Sequence, residues 1–187
     1  MEALLKLSAI AMTVVSLAGP ASTDTDPRRI VIPIHADDVS AHIDQDSTIG
    51  QYYVVTYRLP QGLRGELEHA LLELYFDVRA DSLDGYVNEA PVLEVYAFET
   101  PYVGTIETGN LDVAYRAVRP VALGTARRVV LDITGIVRAH LSSVLPNNGL
   151  FVGSLAGYAW GEFRLAAGDL PAGTLGRVRI YTELRGR

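Results

Sequence analysis

The chain has 187 residues, a formal net charge of −6 and no cysteine. That length holds one full hydrophobic core, and two would be cramped. Disulfides, thiolate nucleophiles and cysteine-based zinc sites are excluded, and the acidic balance argues against nucleic acid as a partner, which calls for a clustered basic face. Hydrophobic residues at 49% against 20% charged residues describe a folded globular protein.

Residues 1–21 read as a signal peptide. Lys6, the sole lysine, precedes a mostly apolar run from Leu7 to Ala18, and the small residues Gly19, Ala21 and Ser22 follow. The run is too short to span a bilayer. Cleavage after Ala21 would leave residues 22–29, with Ser22, Thr23, Asp24 and Thr25 at their head, as a polar, flexible lead. Export without cysteine suits a secreted or periplasmic bacterial protein.

From Ile30 to the end, the dominant signal has period two. The stretch from His35 to Asp46 gathers His35, Asp37, Asp38, His42, Asp44 and Asp46. Its carboxylates could hold a structural calcium ion, but it lacks EF-hand spacing, and a solvated edge strand and turn is the simpler expectation. Residues 51–59 hold the β-branched and aromatic cluster Tyr52, Tyr53, Val54, Val55 and Tyr57. Residues 65–72 have helical propensity, which competes with the alternation starting at Leu72. In that alternation, Leu72, Leu74, Phe76 and Val78 should face a core, and Glu73, Tyr75, Asp77 and Arg79 the other side. Residues 92–98 and 111–118 read as two further strands, with Tyr102 in the loop between them.

A strand over 128–132 then runs into a helical segment over 134–145. Ile136, Val137, Leu141, Val144 and Leu145 fall at helical spacing there, with Asp132 or Thr134 to cap it. Asn148-Gly149 turns the chain into a strand from Leu150 to Leu155. The last strand, residues 177–184, sets Val178, Ile180 and Leu184 against Arg177, Arg179 and Glu183. About eight to ten short strands with such punctuation indicate an all-β, jelly-roll-like antiparallel sandwich with one short helix over residues 30–187.

Four segments together resemble the DNRLRE family of secreted bacterial modules. They are Tyr57 to Leu63, with its leucine-proline turn; Ala70 to Tyr75; Val129 to Leu141 with the following Asn147-Asn148-Gly149-Leu150; and Gly176 to Leu184. The family's tryptophan-bearing segment before the helix has no counterpart, because Leu111 to Ala126 contains no Trp. The resemblance implies a jelly-roll β-sandwich and a non-catalytic role, and the family's carbohydrate-binding relatives include alginate-binding modules.

Candidate ligand contacts are aromatic or basic. Tyr158 and Trp160 share one face if their segment is extended, and Tyr102 is the other candidate for a sugar platform, since flat rings offer apolar faces to pyranose C–H groups. The alternative is that Trp160 fills the core. Arg127, Arg128, Arg177 and Arg179 could read an acidic polysaccharide through bidentate guanidinium–carboxylate pairing; the plainer expectation is a solvated face paired with residues such as Glu183. Four scattered histidines and the absence of a G-x-S-x-G elbow give hydrolysis little support.

The expected function is therefore that of a secreted, non-catalytic binding module for polysaccharide or another cell-surface ligand, with no required cofactor, no membrane span and no nucleic-acid partner. The alternative is a structural or adhesive surface protein acting through protein–protein contacts or self-association, and a small hydrolase is the third reading.

Overall fold

The computed structural model describes residues 29–44, 50–61, 63, 67–78, 92–104, 106, 110–120, 128–155 and 163–182. The expected signal peptide falls outside them. Among the described residues no helix is long and apolar enough to cross a membrane.

Among the described residues, ten strands and one α-helix follow in chain order: β1 (Arg29–His35), β2 (Val39–Asp44), β3 (Gly50–Val55), β4 (Leu67–Val78), β5 (Val92–Phe98), β6 (Leu111–Pro120), β7 (Arg128–Asp132), α1 (Thr134–Leu141), β8 (Leu150–Gly153), β9 (Phe163–Leu165) and β10 (Thr174–Thr182). One sheet has the order β1-β10-β4-β7, with β9 pairing the far end of β4, and the other runs β2-β3-β8-β5-β6. Every pairing among the described residues is antiparallel. The chain passes repeatedly from one sheet to the other, which is the interleaving of a jelly roll. The protein is thus an all-β sandwich, as its alternation predicts.

The core lies between the sheets because alternate residues of each strand point inward. Ile34, Leu72, Leu74, Val178 and Ile180 from the first sheet meet Val55, Leu93, Val95, Leu150 and Val152 from the second, all of them buried. The helical propensity of residues 65–72 loses to this pairing: β4 begins at Leu67, and Ala70 sits opposite Ile180.

Helix α1 closes one end of the sandwich with Ile136, Val137, Ala139 and His140 buried. At its start the Thr134 N–H donates to Asp132 Oδ1 at 2.9 Å, and Thr134 Oγ1 accepts from the Ala70 N–H of β4 at 2.9 Å. The helix ends at Leu141, short of the expected residue 145. Ser142 Oγ donates to the carbonyls of Arg138 and Ala139, and Ser143 adopts φ 58°, so the helical path stops there. Val144 is consequently exposed, while Leu145 still reaches the core. Beyond it, Gly149 takes φ +97° with an added Cβ only 3.0 Å from the Val55 carbonyl oxygen, so the turn into β8 requires glycine.

Candidate binding face of the first sheet

Cross-strand register builds the site. On the outer face of the first sheet Arg177 of β10 lies directly opposite Glu73 of β4, with Pro33 of β1 and Val130 of β7 completing the row. The next row holds Val31, Arg179, Leu71 and Asp132, and the row beyond it Arg29, Tyr181 and His69. On the other side, Tyr75 of β4 pairs with Arg128 of β7. Residues of one face recur every second position, so these four rows span about 20 Å along the strands.

Three guanidinium groups converge on one carboxylate. Arg128 Nε donates to Glu73 Oε1 at 2.8 Å and Arg177 Nη2 donates to the same oxygen at 2.9 Å. Arg179 Nη2 forms an ion pair with Oε2 at 3.1 Å. The Tyr75 hydroxyl adds a fourth contact, donating to Oε1 at 2.6 Å. The Glu73 side chain is 0% exposed, whereas those of Arg128, Arg177 and Arg179 are 49%, 28% and 14% exposed.

Burial is the largest single influence on Glu73 and by itself would raise its pKa. The hydrogen bonds from Arg177, Arg128 and Tyr75, with the Arg177 charge, outweigh it and hold the carboxyl at about 2. The group therefore stays ionised, and the three arginines with Glu73 carry a net charge of +2 on a chain whose total is −6.

The alternation gives the direction of these side chains but not their burial. Glu73 and Tyr75 point away from the core as the alternation predicts, yet both are buried, because arginines from two neighbouring strands cover the carboxylate and the segment after β9 covers the ring. The Ala166 N–H donates to the Tyr75 carbonyl at 2.9 Å, and a Cβ on Gly168 would stand 2.1 Å from Tyr75 Cδ1. The acid that the last strand's arginines meet is Glu73; Glu183 lies outside the described residues. Arg127 lies outside them as well. An acid flanked by leucines in a mostly apolar strand, with an alternating arginine pair in the closing strand, was the available signal, but it has meaning only once β10 is known to pair with β4.

Of the aromatic candidates, Tyr158 and Trp160 lie outside the described residues. Tyr102 packs on the outer face of the second sheet, beside a smaller buried cluster of Tyr52, Val54, Tyr96, Phe98, Leu111 and Phe151. Its hydroxyl is 2.9 Å from that of Tyr52 and 3.2 Å from His42 Nδ1, and its ring centroid is 4.8 Å from that of His42 and 5.7 Å from that of Phe98. Half-buried, with its hydroxyl already engaged, Tyr102 ties the β5–β6 loop to the sheet. Burial lowers the His42 pKa. His42 Nε2 is 2.9 Å from Ser40 Oγ, an ordinary contact between same-face neighbours on one strand.

At the β1–β2 corner the His35 N–H donates to Asp38 Oδ2 at 2.9 Å around a 3-10 turn, Ala36–Asp38. Among the described residues no three His, Asp or Glu side chains are placed to hold a metal ion; Asp46 lies outside them. No family model matches the chain, and no curated protein matches it.

Proposed function

We propose that this chain is a secreted, non-catalytic module of DNRLRE type that binds an acidic polysaccharide, or a comparably anionic cell-surface ligand, on the outer face of the first sheet. The observation that carries this reading is the convergence of Arg128, Arg177 and Arg179 on the buried Glu73. Each guanidinium has five N–H donors in a planar fork, and Glu73 takes few of them: the Arg128 Nε and one Arg177 Nη are the donors hydrogen-bonded to it. The Arg177 and Arg179 Nε atoms are buried and Arg179 Nη1 lies 3.5 Å from the Tyr181 hydroxyl, so the donors that suit the carboxylates of a uronic-acid chain, which guanidinium groups bind in a bidentate manner, are chiefly the terminal nitrogens of the half-exposed Arg128. Tyr181 and His69, with ring centroids 4.9 Å apart, and the exposed Val31 provide apolar surface on the same face for sugar C–H groups.

Titration calorimetry with a polyuronate and with a neutral glucan tests the reading. The polyuronate should bind, more weakly as salt rises, and the glucan should not. Arg128→Ala should weaken polyuronate binding by roughly tenfold, the equivalent of about 1.4 kcal/mol. Equal binding of the two polymers, or of neither, refutes the reading.

A structural or adhesive role is the second reading. It draws on Val113 and Val118, which are 67% and 48% exposed on β6, at the edge of the second sheet. It predicts self-association, and a strictly monomeric protein by light scattering over a wide concentration range counts against it.

A further inference from the structure

We infer that Glu73 is the positioning residue of the arginine face, so that binding of an acidic glycan depends on the array Glu73 imposes more than on the net charge of the face. The inference rests on the acidic-glycan reading above and adds to it the residue that shapes the site.

Three like charges on adjacent strands repel one another, and each arginine loses considerable rotamer freedom when fixed. Left alone, Arg128, Arg177 and Arg179 would spread into solvent. The Glu73 carboxylate reverses that tendency. It sits directly opposite Arg177, while Arg128 and Arg179 reach it diagonally from positions opposite Tyr75 and Leu71. Oε1 accepts hydrogen bonds from Arg128, Arg177 and Tyr75, while Oε2 meets Arg179 as an ion pair without a hydrogen bond.

The carboxylate is itself held from behind. Tyr75 donates to it, and Tyr75 is fixed in turn by the Ala166 N–H on its carbonyl and by the Gly168 backbone against its ring. A rigid support therefore runs from the segment after β9 through Tyr75 and Glu73 to the guanidinium groups. The same contacts hold the carboxyl well below the usual carboxylate range, so it is ionised at neutral and mildly acidic pH. A ligand carboxylate then meets forks whose ordering cost folding has already met, which is the advantage of preorganisation.

Charge counting and positioning predict opposite results for Glu73→Gln. The substitution raises the net charge of the cluster from +2 to +3, so simple attraction predicts tighter binding of a polyanion. Loss of the array predicts weaker binding.

The experiment measures polygalacturonate affinity by calorimetry for the full chain, for Glu73→Gln and for Tyr75→Phe, with near-UV circular dichroism to confirm folding. In parallel, arginine Nε–H resonances in ¹⁵N NMR spectra report the order of the guanidinium groups. We expect folded Glu73→Gln to bind at least about tenfold more weakly despite its extra charge, and the Arg128 Nε–H to lose its protection from exchange. Tyr75→Phe, which keeps every charge, should lose roughly two- to fivefold by slackening the carboxylate. A purely structural role for Glu73 would lower stability and leave the affinity of the folded protein unchanged.

If folded Glu73→Gln binds as tightly as the parent or more tightly, the inference is overturned and the acidic-glycan reading stands. If the parent chain itself does not bind polygalacturonate, that reading fails and takes the inference with it. If Glu73→Gln does not fold, Tyr75→Phe decides: a severalfold loss supports positioning, and unchanged affinity overturns it.

Discussion

Glutamine in place of His140 should flatten the pH dependence of stability between pH 6.5 and 4. His140 sits on α1, 9% exposed, with Nδ1 3.0 Å from the Tyr57 hydroxyl and no hydrogen-bond partner for Nε2 among the described residues. Burial disfavours the imidazolium and holds its pKa at about 4, against 6.5 for the free side chain. Burial likewise pushes the Tyr57 hydroxyl well above its ordinary value, so the pair is neutral in the folded protein.

The unfolded chain therefore binds a proton near pH 6.5 that the native chain refuses until about pH 4. Stability rises with pH wherever the unfolded state holds more protons. The contribution is thus complete above pH 6.5 and is lost as pH falls toward 4. A gap of about 2.5 units, at 1.36 kcal/mol each, amounts to about 3 kcal/mol. That is a large share of the roughly 5–15 kcal/mol typical of a domain.

Glu73 has its own window. Its folded pKa is depressed from 4.5 to about 2, so its contribution is present above pH 4.5 and lost as pH falls toward 2. His140→Gln retains Glu73, so the difference between the two proteins isolates the histidine. Urea denaturation followed by far-UV circular dichroism, at several pH values from about 7 to about 4, measures it. The stability of the parent relative to the variant should fall by about 3 kcal/mol across that range. Parallel stability curves would show that His140 titrates normally and would refute the burial argument.

Two further substitutions probe the supports of each face. Gly168→Ala places a Cβ 2.1 Å from the Tyr75 ring at a backbone φ of +54°, and should cost about 2 kcal/mol or more, read as a fall in Tm of roughly 4–8 °C. An unchanged Tm would mean that the segment does not brace Tyr75. Tyr102→Phe keeps the ring and removes the hydroxyl contacts to Tyr52 and His42; it should cost about 1 kcal/mol of stability and leave polyuronate affinity unchanged. A marked loss of affinity would move the binding site to the second sheet.

Much of the scaffold was legible in the residues. The strands expected over 92–98 and 128–132 fall at those positions: burial in β7 alternates on a two-residue period, and β5 is a β-branched and aromatic run buried on both faces at its end, both of them local properties of the chain. The Asn148-Gly149 turn and the start of α1 at Thr134 were equally local. The far end of the helix was not. Hydrophobic spacing continues through Leu145, but two serines offer side-chain and left-handed alternatives that apolar periodicity does not register.

The candidate site was legible only in part. Alternation by itself determined that Glu73, Arg177 and Arg179 point away from the core, and composition determined that no cysteine chemistry operates here. That Glu73 is buried and ionised, and that it holds three arginines, was decided by tertiary structure alone. Arg177 and Glu73 are separated by 104 positions in the chain, and their contact depends on β10 pairing with β4 in one particular register. A strand's sequence states which face a side chain takes. Whether that face is solvent or a salt-bridged interior depends on the neighbouring strands, since the free energy of a charge is set by the groups that replace its water.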